Sequence, residues 1–367
     1  KHADRDRLPV LTGERRSYLK KGMWTYLFPN TISARTPMKL RDFAATTALV
    51  YTAEPLSALH AACGGTPALR YLERGWRFLL ANHTHDANGG CAPDAVCADM
   101  EYRYRKVNDI SDIVAGDAMA DIASNLAPAA AGSETVQFIV YNPLPFTRDA
   151  VVQVDLEIPD LPGARAARIE ADGDPGVARQ PVDAESSSSF VDSIWEVPRI
   201  LDSDRVRFFA HLQNLPGLGY RTYRVYPEQE ELRQNESLVT GPRSMENEQL
   251  AATVNGDGTV DLQCKTTGRV YRSLNYLRDD GESGNAWRHL PPTHDRVCTT
   301  LAGTDARIAV ETSGPLVSVI TAEYSFTVPR DYGAGDTRSE ETVTLPVKVA
   351  YRLERGAADS LLVERSG

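Results

Sequence analysis

Apolar positions recur with a helical period in the first third of the chain and alternate with period two after it. Between residues 38 and 60, Leu40, Phe43, Ala44, Val50, Tyr51, Leu56 and Leu59 fall at helical spacing behind Pro37, and Gly64-Gly65 stops the run. Pro55 has no amide proton, so it should kink or split this helix. A second amphipathic segment covers residues 66–83, with Thr66 as its cap and Pro67 at the first helical position. A third begins near Pro93-Asp94 and carries Met100, Tyr104, Val107, Ile110, Val114 and Met119 towards Leu126-Ala127-Pro128. Three such segments with short connections predict an antiparallel three-helix bundle.

Residues 127–133, Ala-Pro-Ala-Ala-Ala-Gly-Ser, read as a linker, and the period changes beyond them. Residues 136–141, 150–156, 205–210 and 221–225 are short strands with turn signals between them. Asn255-Gly256-Asp257-Gly258, flanked by 252–254 and 259–262, is a hairpin signal. Ser186-Ser187-Ser188-Ser189 reads as a flexible loop tip. Residues 343–363 still alternate as strands do and stop without a cap, which reads as an incomplete sheet with an exposed edge. The expected fold is multidomain, α then β. A helical bundle over 23–130 precedes a small β-sandwich domain over 134–230 and the first part of a large β-sandwich over 240–367, with the polar stretch 227–242 as the boundary.

Composition narrows the function classes. The chain has 367 residues, 42% hydrophobic and 25% charged, which suits two or three globular domains. Its net charge of −10 argues against nucleic acid and anionic membrane as partners, because phosphate recognition needs clustered Lys and Arg. Tyr102-Arg103-Tyr104-Arg105-Lys106 therefore reads as a helix face with buried aromatic neighbours. Five cysteines, an odd number scattered at Cys63, Cys91, Cys97, Cys264 and Cys298, do not form a disulfide framework, so a cytoplasmic location is expected. No apolar run reaches the length of a transmembrane helix.

The candidate chemistry lies where the second helical segment ends, at Asn82-His83-Thr84-His85-Asp86 followed by Gly89-Gly90-Cys91. If His83 and His85 both sit at the helix C-terminus they project about 200° apart, so only one of them can be a ligand of a given metal ion. A neutral imidazole is a common metal ligand, and an adjacent carboxylate can hold a substrate hydroxyl. A His in this place can equally be a cap that complements the helix dipole. Cys91 and Cys97 match no structural-zinc spacing. Asp86 with Asp94 or Asp99 could be drawn as a carboxylate pair, although the last two fall where a helix start favours acidic residues. Asp279-Asp280-Gly281-Glu282-Ser283-Gly284-Asn285-Ala286-Trp287 is an acidic loop that reads as a solvated turn, with a sugar or calcium site as the alternative.

The His-Asp run, with Asp94 and Asp99-Met100-Glu101 after it, resembles the histidine-aspartate segment of bacterial family 38 glycoside hydrolases, the α-mannosidases. The likeness extends to residues 8–16 and 31–39 upstream and to 140–146, 218–225, 246–250 and 257–260 downstream. The resemblance implies a retaining, zinc-dependent α-mannosidase that cleaves terminal α-linked mannose through a glycosyl-enzyme intermediate. In it His85 would be a zinc ligand and Asp86 would grip mannose hydroxyls, while Glu14, Trp24 and Arg35 would border the cleft. The family's His-x-Asp motif has no counterpart in a suitable context, since His2-Ala3-Asp4 stands at the chain end. Residues 1–22 would then be the tail of an α/β domain that carries the nucleophile and most zinc ligands, leaving no catalytic residue in this chain. The implied partner is a mannoside or mannose-containing oligosaccharide, and a homo-oligomer stays open. A non-catalytic carbohydrate-binding or scaffolding module is the alternative, and a lyase or phosphorylase is a third.

Overall fold

The computed structural model describes residues 29–126, 136–159, 163–171, 176–193, 196–285, 287, 289–333, 335–356 and 360–366. Glu14, Trp24, His2, the stretch 8–16 and the linker 127–133 lie outside the described residues.

Helix α1 (Thr36–Ala48) carries Pro37 in its first turn and runs into a π-helical turn at Leu49–Ala53, then into α2 (Glu54–Ala62). The π turn lies just before Pro55, which cannot donate to the carbonyl four residues back, so the backbone widens and continues instead of breaking. Helix α3 (Leu69–Asn82), the short α4 (His85–Gly89) and the long α5 (Asp94–Ser124) follow. Leu49, Leu72, Leu79, Met100, Tyr104 and Val107 fill the core they share. No helix among the described residues is long and apolar enough to cross a membrane.

The β region begins with β1 (Val136–Asn142), β2 (Arg148–Pro159), β3 (Ala166–Ala171), β4 (Arg179–Ser193), β5 (Glu196–Leu215) and β6 (Gly219–Glu228). They form two antiparallel three-stranded sheets, ordered β1-β6-β3 and β2-β5-β4. Both sheets bury side chains in one core, with Ile169, Tyr223 and Val225 from the first and Val206, Phe208 and Ala210 from the second. The four serines at 186–189 are not a loop tip. They lie within β4, where Ser186 to Ser189 pair with Asp204 to Leu201, because cross-strand hydrogen bonding overrides the weak strand preference of serine.

Strands β7 (Val239–Gly241), β8 (Ser244–Glu246), β9 (Leu250–Val254), β10 (Val260–Cys264) and β11 (Val270–Leu274) make a meander, ordered β11-β10-β9-β8-β7. Val254 pairs with Val260 across the expected hairpin, and Gly258 takes the left-handed φ of 83° that the turn requires. The short β12 (Arg278–Asp279) and β13 (Cys298–Thr299) pair with each other, and β14 (Arg307–Thr312) and β15 (Val317–Pro329) follow. Next come the small pair β16 (Tyr332–Gly333) and β17 (Thr337–Arg338), then β18 (Thr342–Glu354) and β19 (Leu362–Ser366). The sheet β14-β15-β18-β19 buries Ile320, Tyr351 and Leu353 against Leu250, Ala252 and Val260 of the meander.

Two polar joints tie these parts together. Tyr141 Oη donates to the Met119 carbonyl at 2.8 Å, linking β1 to α5. Gln180 is buried, and its Oε1 accepts from Leu316 N at 2.9 Å and Val317 N at 2.8 Å while its Nε2 donates to the Val317 carbonyl at 2.9 Å. Phe209, Leu316 and Val317 surround that contact.

Candidate functional site

The His-Asp segment departs from a simple helix end. Helix α3 stops at Asn82, His83 is its C-cap, and Thr84 is extended with φ −61° and ψ 137°. The chain then opens a new helix at His85, so the two histidines belong to different elements and His85 does not sit at the C-terminus of α3. Their surroundings separate them further. His83 Nε2 lies 2.8 Å from Asp42 Oδ1 on α1, in a pair whose side chains are 31% and 21% exposed. The capping role that a histidine can play here falls to His83.

His85 is 96% exposed at its side chain and Asp86 is 70% exposed, with Nε2 and Oδ1 3.3 Å apart. Both project from the first turn of α4, while Ala87 one residue on is buried in the helical core. Of the two carboxylates that could pair with Asp86 by sequence, Asp94 lies 2.5 Å from the Arg35 guanidinium and Asp99 lies 3.7 Å from that of Arg103. Both are engaged by arginines of the scaffold.

Beneath this tip the scaffold is dense. Asn82 is fully buried and donates to the Met100 carbonyl at 3.0 Å, while Arg103 donates to its oxygen at 3.3 Å. Burial, with the Asp42 carboxylate nearby, pushes the Tyr104 phenol well above its ordinary value. On the other side, Arg35 donates through Nε to the Gly90 carbonyl at 3.2 Å and through Nη2 to the Ala92 carbonyl at 3.4 Å. Lys39 donates to the carbonyls of Ala34 at 2.7 Å and Gly89 at 3.3 Å, and desolvation lowers its ammonium pKa. Gly90 has φ 84°, and a Cβ there would stand 2.6 Å from the Ala34 carbonyl oxygen, so only glycine fits. Arg35 itself holds a left-handed φ of 51°, a conformation that costs an L-residue about 1–2 kcal/mol.

Zinc accepts a neutral imidazole and a carboxylate oxygen among its ligands, and this tip presents both. No three His, Cys, Asp or Glu side chains among the described residues are grouped to hold a metal ion. The described residues do not by themselves complete a metal site. Elsewhere, the acidic loop after β12 spends its groups on its own fold: Glu282 lies 2.7 Å from His289 Nδ1, and Asp295 accepts from Gly281 N. All five cysteines are free thiols.

Comparison with known proteins bears on this architecture. No family model matches the chain. An α-mannosidase of Enterococcus faecalis superposes on 92% of this chain with a TM-score of 0.81 at 18% identity. A glycosyl hydrolase family 38 protein from Enterococcus faecalis does so over 92% with a TM-score of 0.80 at 19% identity. The chain has the fold of the matching part of these family 38 proteins. A protein of Halalkalibacterium halodurans with the provisional name mannosylglycerate hydrolase is 25% identical over 95% of the chain. The chain spans 42% of that relative and 42% and 43% of the two family 38 chains.

Within this family 38 fold, His85 and Asp86 are brought together at an exposed tip. The residues that hold the tip, Arg35, Lys39, Asp42 and Asn82, carry no local sequence signal for that role, because their partners lie up to 59 positions away. Gly89-Gly90 was the one visible hint, as a glycine pair marks close backbone approach.

Proposed function

We propose that the full-length protein is a zinc-dependent, retaining glycoside hydrolase that removes terminal α-linked mannose. The observation that carries this reading is the exposed His85-Asp86 pair on a braced tip, in a chain that carries the family 38 fold over 92% of its length. When bound, zinc would supply Lewis-acid contact to neighbouring sugar hydroxyls. The His85 imidazole would offer one ring-nitrogen lone pair to that ion from a backbone that Arg35 and Lys39 brace. The Asp86 carboxylate accepts hydrogen bonds from sugar hydroxyls, and charge-assisted bonds of this kind fix the ring's orientation. Retaining hydrolysis needs two carboxyl groups about 5–5.5 Å apart, and in this proposal they come from outside this chain. The leaving group is either another sugar or, as the name of the Halalkalibacterium relative suggests, glycerate.

The test is zinc content and hydrolysis of an aryl α-mannoside and of mannosylglycerate by the full-length gene product, wild type against His85→Ala. The expected outcome is a loss of zinc together with a fall in kcat/KM of at least about 100-fold. Retained zinc with unchanged turnover would sink the proposal and leave His85 as a surface residue. Sugar binding without hydrolysis of either substrate would favour a carbohydrate-binding module.

A further inference from the structure

His85 and Asp86 are largely exposed, and among the described residues the polar contacts that could hold their side chains in place are with each other, at 3.3 Å, and with the Cys91 thiol, which lies 3.6 Å from Asp86 Oδ1. Their position is set by the backbone of α4 and of the loop that joins it to α5. The carbonyls at the end of so short a helix have no partner within it. Here two of them, at Gly89 and Gly90, and the Ala92 carbonyl in the loop beyond, are taken by two cations of one neighbouring segment, Lys39 and Arg35. The Arg35 guanidinium also reaches Asp94 at the start of α5, so one side chain spans the end of α4, the loop and the next helix. The contact is close enough that Gly90 lies against the Ala34 carbonyl with no room for a Cβ.

Arg35 reaches this place only because its backbone adopts φ 51° and ψ 48°, immediately before the first turn of α1. This left-handed arginine makes no side-chain cap bond to its own helix, and its local return is one backbone bond, its carbonyl accepting from Met38 N at 2.8 Å. The pair it makes with Asp94 is exposed, 38% and 92% at the two side chains, and exposed pairs add little to stability. What the strained backbone secures is the direction of the guanidinium, and with it the direction of α4.

We infer that Arg35 is a positioning residue for His85 and Asp86: its clamp on the Gly90 and Ala92 carbonyls aims the first turn of α4, and so sets how those two side chains meet metal and sugar. The inference rests on the proposed function of that pair. It also revises the expectation that Arg35 borders the substrate cleft, since its donors are turned to the loop carbonyls and to Asp94. Lysine cannot reproduce the clamp, because it offers a single nitrogen where the guanidinium spreads donors over a planar fork.

The experiment compares Arg35→Ala, Arg35→Lys and Asp94→Asn in the full-length gene product with wild type and His85→Ala. Three readouts are taken: zinc affinity by chelator competition, kcat and KM separately for an aryl α-mannoside, and amide hydrogen exchange by mass spectrometry. Arg35→Ala is expected to speed exchange about tenfold in residues 84–93 with the other segments unchanged, and to weaken zinc about 10–100-fold. Arg35→Lys should recover part of the zinc affinity, and Asp94→Asn, which keeps both carbonyl contacts, should stay within about threefold of wild type. Unchanged exchange in 84–93 with zinc affinity within twofold would overturn the inference. So would a faster exchange across the whole helical region, which would make Arg35 a general stabiliser. If Arg35→Ala does not fold, Arg35→Lys and Lys39→Met read out the same clamp one contact at a time. Failure of His85→Ala to affect zinc or turnover identifies the functional reading as the fault. Loss in His85→Ala without loss in Arg35→Ala or Arg35→Lys identifies the clamp.

Discussion

Gln180 and Arg35 perform the same act in two settings: each is a polar side chain that closes on backbone groups far along the chain, 137 and 55 positions away. Gln180 does so in a sealed joint between the two β cores, among Phe209, Leu316 and Val317. Arg35 does so through partly buried bonds to the loop that follows the helix carrying the exposed His85. The buried contact contributes stability, because unmaking it strands three backbone groups away from water. The partly buried contact contributes less stability, since water can reach part of it, and its value lies in geometry. Burial thus separates the joint that holds the molecule together from the clamp that aims its candidate chemistry.

The largest effect belongs to the buried joint. Gln180→Leu leaves Leu316 N, Val317 N and the Val317 carbonyl unpaired, which should cost about 3 kcal/mol of stability in urea denaturation. A cost under about 1 kcal/mol would show that water enters the joint and would erase the contrast. Next comes Gly90→Ala, which forces a Cβ at φ 84° into the Ala34 carbonyl. Thermal unfolding should register about 2 kcal/mol, and zinc binding should weaken with it because the α4 tip must shift. The smallest effect concerns His211, half-buried on β5, which faces Arg355, Asp149 and Glu248. Burial and then Arg355 lower its pKa. The folded state therefore binds fewer protons than the unfolded state, so this contribution is whole above the unfolded histidine value and is lost as pH falls through it. Between about pH 7 and 5 the wild-type Tm should fall more steeply than that of His211→Gln. Parallel curves would remove His211 from the account.

Much of the scaffold was legible because burial repeats with the period of the element that carries it. The spacing of Met100, Tyr104, Val107 and Val114 marked α5, and Asn255-Gly256-Asp257-Gly258 marked the turn between β9 and β10. Pro55 announced a bend, though not that a π turn would absorb it. Ser186-Ser187-Ser188-Ser189 misled because their strand is imposed by a partner, the stretch around Leu201 and Asp204, and not by their own pattern. The site was legible only as letters. His83 and His85 look alike in sequence, and what parts them is the extended Thr84 and the approach of Asp42 from another helix. The Arg35 clamp, whose partners lie 55 to 59 positions away, has no footprint in local spacing at all.

The most direct test of the central claim is the metal environment itself. Anomalous diffraction at the zinc edge on crystals of the full-length protein should place one zinc ion in bonding contact with a ring nitrogen of His85, with Asp86 facing the sugar side. A zinc ion bound elsewhere, with the His85 imidazole free in solvent, would contradict the account.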